Sequence, residues 1–238
     1  MLDGKKLIIF DLDGTLIDSV SIWNEVDKRY IAHFGHSPCG IDVQAQRDEK
    51  LREFKASDNP YRDYCAFMDK KYGSTLSPDE LVKLRYEIAD ELVVNEVDYK
   101  PLADVFIKEL KARGYAMAIA STTLRSNMNV YLTKNKNIIS KAPLDGIFDL
   151  ILTREDAEEM KPSPNIFNKA IKHFGVDPSE CLIFEDSLVG VEAAHAAGVD
   201  AVAIYDESSL KDKDKIASYA IRYFDNYAQI METLKWKF

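Results

Sequence analysis

The sequence predicts an α/β protein built on a parallel sheet, and three observations support this fold class. Short runs that are apolar on both faces recur along the chain, as buried parallel strands do. Helical patterns separate most of these runs, and this alternation is typical of a parallel sheet with crossover helices. The chain has 10 glycines and 8 prolines in 238 residues, fewer than a loop-rich β protein would contain.

Five apolar runs are the predicted strands, and a polar residue follows each of them. The runs cover residues 7–10, 116–120, 150–152, 182–184 and 201–204, and the polar residues that follow are Asp11, Ser121, Thr153, Glu185 and Tyr205. In open parallel sheets, ligands bind outside the carboxyl ends of the strands. We therefore expect the chemistry of this protein at the edge where these polar residues lie.

Helix signals fill the spaces between the strands. Residues 102–110 repeat at a helical period before Gly114, which is a typical residue to follow a helix. Ser163 and Pro164 offer an N-cap and a first-turn proline to a second helix. A third helix is predicted over residues 189–197. These segments are the crossover connections that a parallel sheet requires.

One segment breaks the alternation. Residues 17–98 contain no convincing strand pattern, and their apolar residues repeat at helical spacing. One of these helices begins with a capping box formed by Ser77 and Glu80. We predict a core domain of residues 1–16 and 99–238, with a helical cap domain of residues 17–98 inserted after the first strand. Such a cap would act as a lid over the strand ends, and a merely decorative insertion is the alternative.

Composition excludes some classes of partner and site. Acidic residues number 40 and basic residues 31, so the net charge of −9 argues against a general nucleic-acid surface. Three cysteines without a CxxC pair argue against a disulfide framework and a thiolate zinc site, and favour a reducing cytoplasm. The first apolar run is only four residues long, so we expect no signal peptide. No apolar stretch of the sequence approaches the roughly 20 residues of a membrane span, so we expect no membrane partner.

The first predicted strand runs into Asp11-Leu12-Asp13-Gly14-Thr15. Two carboxylates this close at a strand end repel each other, and a hard divalent ion with oxygen ligands would offset them. Gly14 would allow a turn, and Thr15 adds a hydroxyl group. Taken alone, the same pentapeptide also fits an Asp-Gly turn with aspartate caps.

A second acidic pair, Glu185 and Asp186, follows another predicted strand. If the two strands are neighbours in the sheet, four carboxyl groups converge at one edge. Two unrelated, solvated strand ends are the alternative. Convergence would explain why both strands end in paired acids, and it favours a metal site.

Two further strand-end features suit a phosphorylated ligand. Ser121 and Thr122 follow the second predicted strand and precede a helical segment, where hydroxyl and amide groups bind phosphate oxygens. Lys161 precedes Pro162, which favours an extended backbone at the lysine. A lysine so held could place its charge on a phosphate or between carboxylates. Separately, these features also fit an ordinary cap and a surface lysine.

The four motifs, in this order, resemble the haloacid-dehalogenase-like hydrolase superfamily. The matching segments are Asp-Leu-Asp-Gly-Thr at 11–15, Ser-Thr at 121–122, Lys-Pro-Ser-Pro at 161–164 and Phe-Glu-Asp-Ser at 184–187. More narrowly, the chain is similar to the subgroup of β-phosphoglucomutase and small sugar-phosphate phosphatases. The resemblance covers the core and implies a Rossmann-like parallel sheet with helices on both faces and an all-helical cap.

The resemblance implies roles for the acidic residues. Asp11 would be the nucleophile that forms an aspartyl-phosphate, and Asp13 would be the general acid and then the general base. Mg²⁺ would be the cofactor, held by Asp11, Asp186 and the backbone carbonyl of Asp13, with Glu185 close or direct. Ser121 and Lys161 would hold the phosphoryl oxygens, and Thr122 is a weaker candidate for that role.

The same resemblance limits which of the family's reactions we expect. Asp13 is present, whereas dehalogenases of the family lack this second aspartate. Trp23 stands where the mutases carry a histidine. We therefore expect a phosphatase acting on a small phosphorylated metabolite, a sugar or polyol phosphate. A phosphosugar mutase and a non-catalytic phosphate-ligand binding module stay open as alternatives.

Selection of the substrate is expected in the cap. Arg47, Lys50 and Arg52 are candidates for substrate contact, and an ordinary solvated helix face is the alternative. Trp23 is a candidate for the same role or a residue of the cap's own core. We expect a monomer or a weak homodimer.

Overall fold

The computed structural model describes residues 1–54, 57–73 and 76–236, without the side chain of residue 48. The chain divides into two compact units. Met1–Val20 and Val97–Phe238 form one unit, here called the sheet unit, and Ser21–Glu96 form the other, here called the helical unit. Ile17 forms isolated β-bridges with Asp13 and Tyr99, which keeps residues 17–20 and 97–98 in the sheet unit rather than in the predicted cap.

The helical unit follows the first strand in the chain, and its described regular elements are helices: α1 (Ile22–His33), α2 (Val43–Glu53), α3 (Pro60–Tyr72) and α4 (Pro78–Asn95). Side chains cap three of them. Asp42 accepts from the amide of Ala45, Asn59 from that of Arg62, and Ser77 forms the predicted capping box with Glu80.

The core of the helical unit is built by apolar and aromatic residues of all four helices, among them Tyr30, Val43, Tyr64, Met68 and Leu81. Each helix contributes to this core, although α2 is mostly polar and carries no apolar stripe. Burial against neighbours, rather than its own composition, therefore holds α2 in place.

The described part of the sheet unit contains six parallel strands. They are β1 (Leu7–Phe10), β2 (Ala116–Ala120), β3 (Leu150–Leu152), β4 (Cys181–Glu185), β5 (Asp200–Ile204) and β6 (Arg222–Phe224). Their order across the sheet is β3-β2-β1-β4-β5-β6. The parallel α/β fold with a helical insertion after the first strand is confirmed, and β6 is an edge strand that the sequence pattern did not indicate.

Helices connect the strands and cover both faces of the sheet. They are α5 (Ala103–Ala112), α6 (Arg125–Thr133), α7 (Lys136–Lys141), α8 (Leu144–Ile147), α9 (Asn165–Phe174), α10 (Leu188–Ala196), α11 (Lys213–Tyr219) and α12 (Tyr227–Thr233). One face packs against α9, α10 and α11, and the other against α5 and α12. No helix in the described ranges is long and apolar enough to cross a lipid bilayer.

The centre of the sheet sets the position of the strand ends. Phe10 pairs in register with Ile119 of β2 on one side and with Phe184 of β4 on the other. The rings of Phe10 and Phe184 stack with their centroids 4.8 Å apart. Because β1 and β4 are neighbours in this register, Asp11, which follows β1, and Glu185, the last residue of β4, lie side by side.

Candidate active site

Acidic side chains converge at the carboxyl ends of β1 and β4. The amide of Asp11 donates to the carbonyl of Phe184 over 2.9 Å, so the backbone pairing continues to the first acid. Asp11 is 7% exposed, Glu185 0% and Asp186 5%. Buried carboxyl groups this close together require compensating charge or hydrogen-bond donors.

Lys161 supplies part of this compensation. Its Nζ lies 2.6 Å from Asp11 Oδ1 and 2.5 Å from Glu185 Oε1, and the side chain is 2% exposed. Burial alone would disfavour the charged lysine, but the two carboxylates raise the pKa of Lys161 above its ordinary value. The lysine is therefore a fixed cation between the first and fourth motifs, one of the two positions expected for it.

Glu185 is held on both of its carboxylate oxygens. Oε1 accepts from Lys161, and Oε2 accepts from the amides of Asp186 and Ser187 over 3.1 and 3.3 Å and from the Ser187 hydroxyl over 3.1 Å. The carboxyl group packs on Gly190, where a Cβ atom would lie 1.9 Å from Glu185 Cδ. Glu185 thus fixes the ammonium of Lys161.

Asp186 lies against the loop that follows β1. Thr15 Oγ1 donates to Asp186 Oδ1 over 2.7 Å, and the hydroxyl of Tyr227 donates to the Thr15 carbonyl over 3.0 Å. Gly14 has φ +83°, and a Cβ atom there would lie 2.7 Å from Asp186 Oδ2. Both the positive φ and this close approach require glycine at position 14.

Asp11 and Asp186 have raised pKa values. Burial is the largest cause of each rise, and the neighbouring carboxylates raise both pKa values further. The pKa of Asp11 rises to about 7 even though Lys161 opposes the rise. The pKa of Asp186 is raised well above its usual range, chiefly by burial and then by Glu185 and Asp11. These two carboxyl groups therefore favour additional positive charge.

Asp13 has different neighbours from Asp11. Its Oδ1 accepts from Ser19 Oγ over 2.6 Å and from the Tyr131 hydroxyl over 3.3 Å. Burial raises the pKa of Asp13, while hydroxyl groups that include those of Ser19 and Tyr131 oppose the rise. A carboxyl group with a raised pKa that is bound by hydroxyl groups is suited to carry a proton.

The second motif lies at the end of β2. Ser121 is buried, its amide donates to the Leu152 carbonyl over 3.1 Å, and its Oγ accepts from the amide of Thr123 over 3.1 Å. Thr122 is exposed. Helix α6 begins only at Arg125, so Ser121 and Thr122 lie on the loop before the helix rather than at its first turn.

The cap residues singled out from the sequence make contacts inside the helical unit. Arg47 Nη1 lies 2.6 Å from Asp27 Oδ2, and Nη2 donates to Asn24 Oδ1 over 2.9 Å. Lys50 pairs with Glu53 over 2.7 Å, and Arg52 is exposed.

Trp23 lies beside a charged cluster that sequence reasoning missed. Asp27 is fully buried, and Arg85 binds its Oδ1 over 3.0 Å while Arg47 binds Oδ2. The Arg85 guanidinium lies 5.0 Å from the centroid of the Trp23 ring. The described contacts of Trp23 and Arg47 are thus those of residues that stabilise the helical unit.

Comparisons with known proteins identify the family of this chain and some of its relatives. A family model described as haloacid dehalogenase-like hydrolase matches residues 8–204. Protein CbbY of Rhodobacter capsulatus is 26% identical over 220 residues, which cover 91% of this chain and 92% of that protein. Fructose-1-phosphate phosphatase YqaB of Escherichia coli is 24% identical over 197 residues, 83% of this chain and 95% of that protein.

A solved structure shares the fold over nearly the whole chain. The crystal structure of CbbY from Rhodobacter sphaeroides in complex with phosphate superposes with a TM-score of 0.67 at 23% identity. The match covers 95% of this chain and 96% of that one. The family model over residues 8–204 confirms the resemblance that the four motifs indicated, and this structure shows that the fold is shared.

Proposed function

The chain belongs to the haloacid dehalogenase-like hydrolase family, and from this premise we propose that it is a Mg²⁺-dependent phosphatase. Its substrate would be a small phosphorylated metabolite, a sugar or polyol phosphate. The observation that carries the proposal is the position of Lys161, which contacts both Asp11 and Glu185 and so joins three of the four motifs at one strand edge. Relatives named as phosphatases, among them a fructose-1-phosphate phosphatase, support the substrate class.

Asp11 is the proposed nucleophile. Lys161 holds its Oδ1, so we assign attack on phosphorus to the other oxygen, Oδ2. The bond from Asp11 to phosphorus forms while the bond from phosphorus to the ester oxygen breaks, and the product is an aspartyl-phosphate. Water then attacks the phosphorus atom and releases the Asp11 carboxylate and inorganic phosphate.

Asp13 is the proposed proton donor and acceptor. Burial raises the pKa of its carboxyl group because it disfavours the charged form, which suits a group that gives and takes a proton. It would protonate the leaving ester oxygen in the first step and take a proton from the attacking water in the second.

Lys161 and Ser121 are proposed to bind the phosphoryl group. The Lys161 ammonium lies beside the proposed nucleophile, where the oxygens of an incoming phosphoryl group would gather. Phosphoryl transfer is accelerated mainly by positioning and by stabilisation of charge on these oxygens. Thr122, exposed on the same loop, is the weaker candidate for this contact.

The donor set at this edge fits a hard divalent cation. Carboxylate oxygens are the ligands that Mg²⁺ prefers, and the pKa values of Asp11 and Asp186 are raised by burial and mutual repulsion, as expected where cationic charge is needed. In the ranges that the structure describes, no three Asp, Glu, His or Cys side chains form a complete ligand cluster, so the fit rests on donor chemistry. Asp11, Asp186 and the Asp13 carbonyl would hold the ion, with Glu185 close or direct, and it would neutralise phosphoryl charge.

We also propose a cytoplasmic location. Cys39, Cys65 and Cys181 are all free thiols, as expected in a reducing compartment. The acidic net charge of −9 makes nucleic acid an unfavourable partner. A monomer or weak homodimer that binds a small metabolite is consistent with both features.

A phosphate-release assay tests the proposed function. Phosphorylated sugars and polyols are screened, with β-glucose 1-phosphate included because it separates two reactions. Free phosphate supports the phosphatase, whereas formation of glucose 6-phosphate supports the mutase. Mg²⁺ binding without turnover of any compound would support a non-catalytic module instead.

Replacement of the proposed nucleophile is the sharper test. Asp11→Asn should lower hydrolysis of 4-nitrophenyl phosphate by roughly 10³-fold or more, because an amide does not form the aspartyl-phosphate. Asp145→Asn is the matched control, since Asp145 is an exposed residue of α8. Retained activity in Asp11→Asn would exclude the aspartyl-phosphate mechanism.

A further inference from the structure

Tyr131 is a buried residue of α6 whose hydroxyl group reaches the first motif. The residue is 4% exposed, and its hydroxyl donates to Asp13 Oδ1 over 3.3 Å. Ser19 Oγ donates to the same oxygen over 2.6 Å. Asp13 and Tyr131 are 118 positions apart in the chain, so this contact is made by the fold and not by the local loop.

The partner of Tyr131 distinguishes it from other buried tyrosines of the sheet unit. The Tyr99 hydroxyl donates to the Ala142 carbonyl over 2.5 Å, and the Tyr227 hydroxyl donates to the Thr15 carbonyl over 3.0 Å. Those two contacts satisfy backbone groups, as buried phenols commonly do. Tyr131 instead donates to a carboxyl group at the strand edge where the proposed chemistry occurs.

Ser19 and Tyr131 both contact Oδ1 of Asp13 and so hold the carboxyl group in one orientation. Rotation of the carboxyl group about its Cβ–Cγ bond would break both contacts. The rigid phenol ring, held in a buried site on α6, also limits rotation of the carboxyl group.

We propose that Tyr131 is a positioning residue for proton transfer, because its hydroxyl holds the Asp13 carboxyl group in the orientation from which Asp13 gives and receives the proton. This inference rests on the proposed phosphatase function. In the first step the proton passes from Asp13 to the ester oxygen while the bond from that oxygen to phosphorus breaks and the bond from Asp11 to phosphorus forms. In the second step Asp13 takes a proton from the attacking water as the bond from Asp11 to phosphorus breaks. The sum is phosphomonoester and water giving alcohol and phosphate.

The test compares two substrates of similar shape that differ in their need for a proton. Phenyl phosphate releases a poor leaving group that must be protonated, whereas 4-nitrophenyl phosphate releases a stable anion. The measured quantity is kcat/KM, which covers the steps up to departure of the leaving group. We expect Tyr131→Phe to lower kcat/KM for phenyl phosphate by roughly 3- to 10-fold, and that for 4-nitrophenyl phosphate clearly less.

Tyr99→Phe is the matched control, because it also removes one buried tyrosine hydroxyl but leaves Asp13 untouched. Its ratio of kcat/KM for the two substrates should equal that of the unchanged protein. Ser19→Ala removes the other donor to Oδ1 and should shift the ratio in the same direction as Tyr131→Phe. Thermal unfolding of each variant reports whether it is folded.

Several results would overturn the inference. Equal loss on both substrates, no loss on either, or a Tyr131→Phe protein that does not fold would make the hydroxyl a purely structural group. A change in the ratio of kcat/KM for the two substrates in Tyr99→Phe would also overturn the inference, because the Tyr99 hydroxyl donates to the Ala142 carbonyl rather than to Asp13. Failure of the proposed function looks different, because the unchanged protein would then release no phosphate from either compound.

Discussion

The position of Glu185 depends on the absence of a side chain at Gly190. A Cβ atom there would lie 1.9 Å from Glu185 Cδ and 2.1 Å from both carboxylate oxygens. The carboxyl group cannot move aside without breaking its bonds to the amide of Asp186 and to Lys161. The absence of a side chain at Gly190 therefore determines where Glu185 holds the Lys161 ammonium, which in turn contacts Asp11.

We expect Gly190→Ala to lower both stability and activity. Overpacking at a buried site costs about 1–3 kcal/mol, and displacement of Glu185 would leave Lys161 without one of its two fixed partners. Thermal unfolding and release of phosphate measure the two effects. Gly146→Ala is the matched control, because a Cβ atom in that α8 position would meet Pro143 at an ordinary 3.8 Å. Full activity in Gly190→Ala would contradict the role assigned to Glu185.

Sequence patterns located the acids of the site but not the groups that orient them. Asp11 and Asp13 follow a recognisable strand, so their place at the sheet edge can be predicted locally. Tyr131 carries no such signal, because its apolar neighbours on α6 predict only a helix residue facing the core. The sequence left open whether Lys161 lies on a phosphate or between carboxylates, because its contact with Glu185 depends on side-chain packing around Gly190.

Lys100, in the segment that follows the helical unit in the chain, binds the loop after β5. Lys100 Nζ donates to the Tyr205 carbonyl and to Asp206 Oδ2, both over 2.8 Å. Asp206 is 5% exposed, and its Oδ1 accepts from the amide and hydroxyl of Ser208. Burial raises the pKa of Asp206, but these hydrogen bonds and the lysine outweigh it, so the pKa is lowered overall.

The lowered pKa makes this contribution to stability pH-dependent. The ionised Asp206 stabilises the fold above the pKa of an unfolded aspartate, about 3.9, and the contribution is lost as the pH falls through the lower pKa of the folded state. Asp206→Asn should therefore destabilise the protein by about 1–3 kcal/mol at pH 7, with a smaller difference towards pH 3. Urea unfolding across this range measures it, with Asp145→Asn as the control. A difference that stays constant with pH would contradict the assignment.

Elements with a strong hydrophobic pattern could be predicted from that pattern, and several weaker ones, among them α2 and β6, could not. Helix α2 is almost entirely polar, so apolar spacing did not reveal it, and neighbouring helices hold it in place. Strand β6 has three residues at the sheet edge and pairs with β5 on one side. Pro164 stands one position before the first residue of α9 rather than within its first turn, a shift common at helix ends.

Each compact unit contains one of the two tryptophans. Trp23 lies in the helical unit, near Arg85. Trp236 lies in the sheet unit, where the Arg113 guanidinium is 4.3 Å from its ring centroid. Variants that retain a single tryptophan therefore report on one unit at a time.

We expect Asp27→Asn to lower the stability of the helical unit by about 3–5 kcal/mol, because it leaves two buried or nearly buried arginines without their carboxylate. When Asp27→Asn is combined with Trp236→Phe, the fluorescence of Trp23 should report unfolding at a lower urea concentration than in Trp236→Phe alone. When it is combined with Trp23→Phe, the urea midpoint reported by Trp236 should change less. Asp90→Asn, an exposed change on α4, is the control. Equal shifts at both tryptophans would contradict a role confined to the helical unit.

The neighbouring positions of β1 and β4 also constrain how the protein is made. Residues 11–180 separate the two strands in the chain, yet they pair along their whole length. During synthesis β1 leaves the ribosome before β4 and must wait, with one edge unpaired, until residues 11–180 have followed. Such distant pairing closes slowly and leaves an apolar edge open to wrong partners. A nascent chain that stops before β4 therefore contains Asp11, the proposed nucleophile, but lacks Glu185 and Asp186, and its exposed β1 edge makes it prone to aggregation.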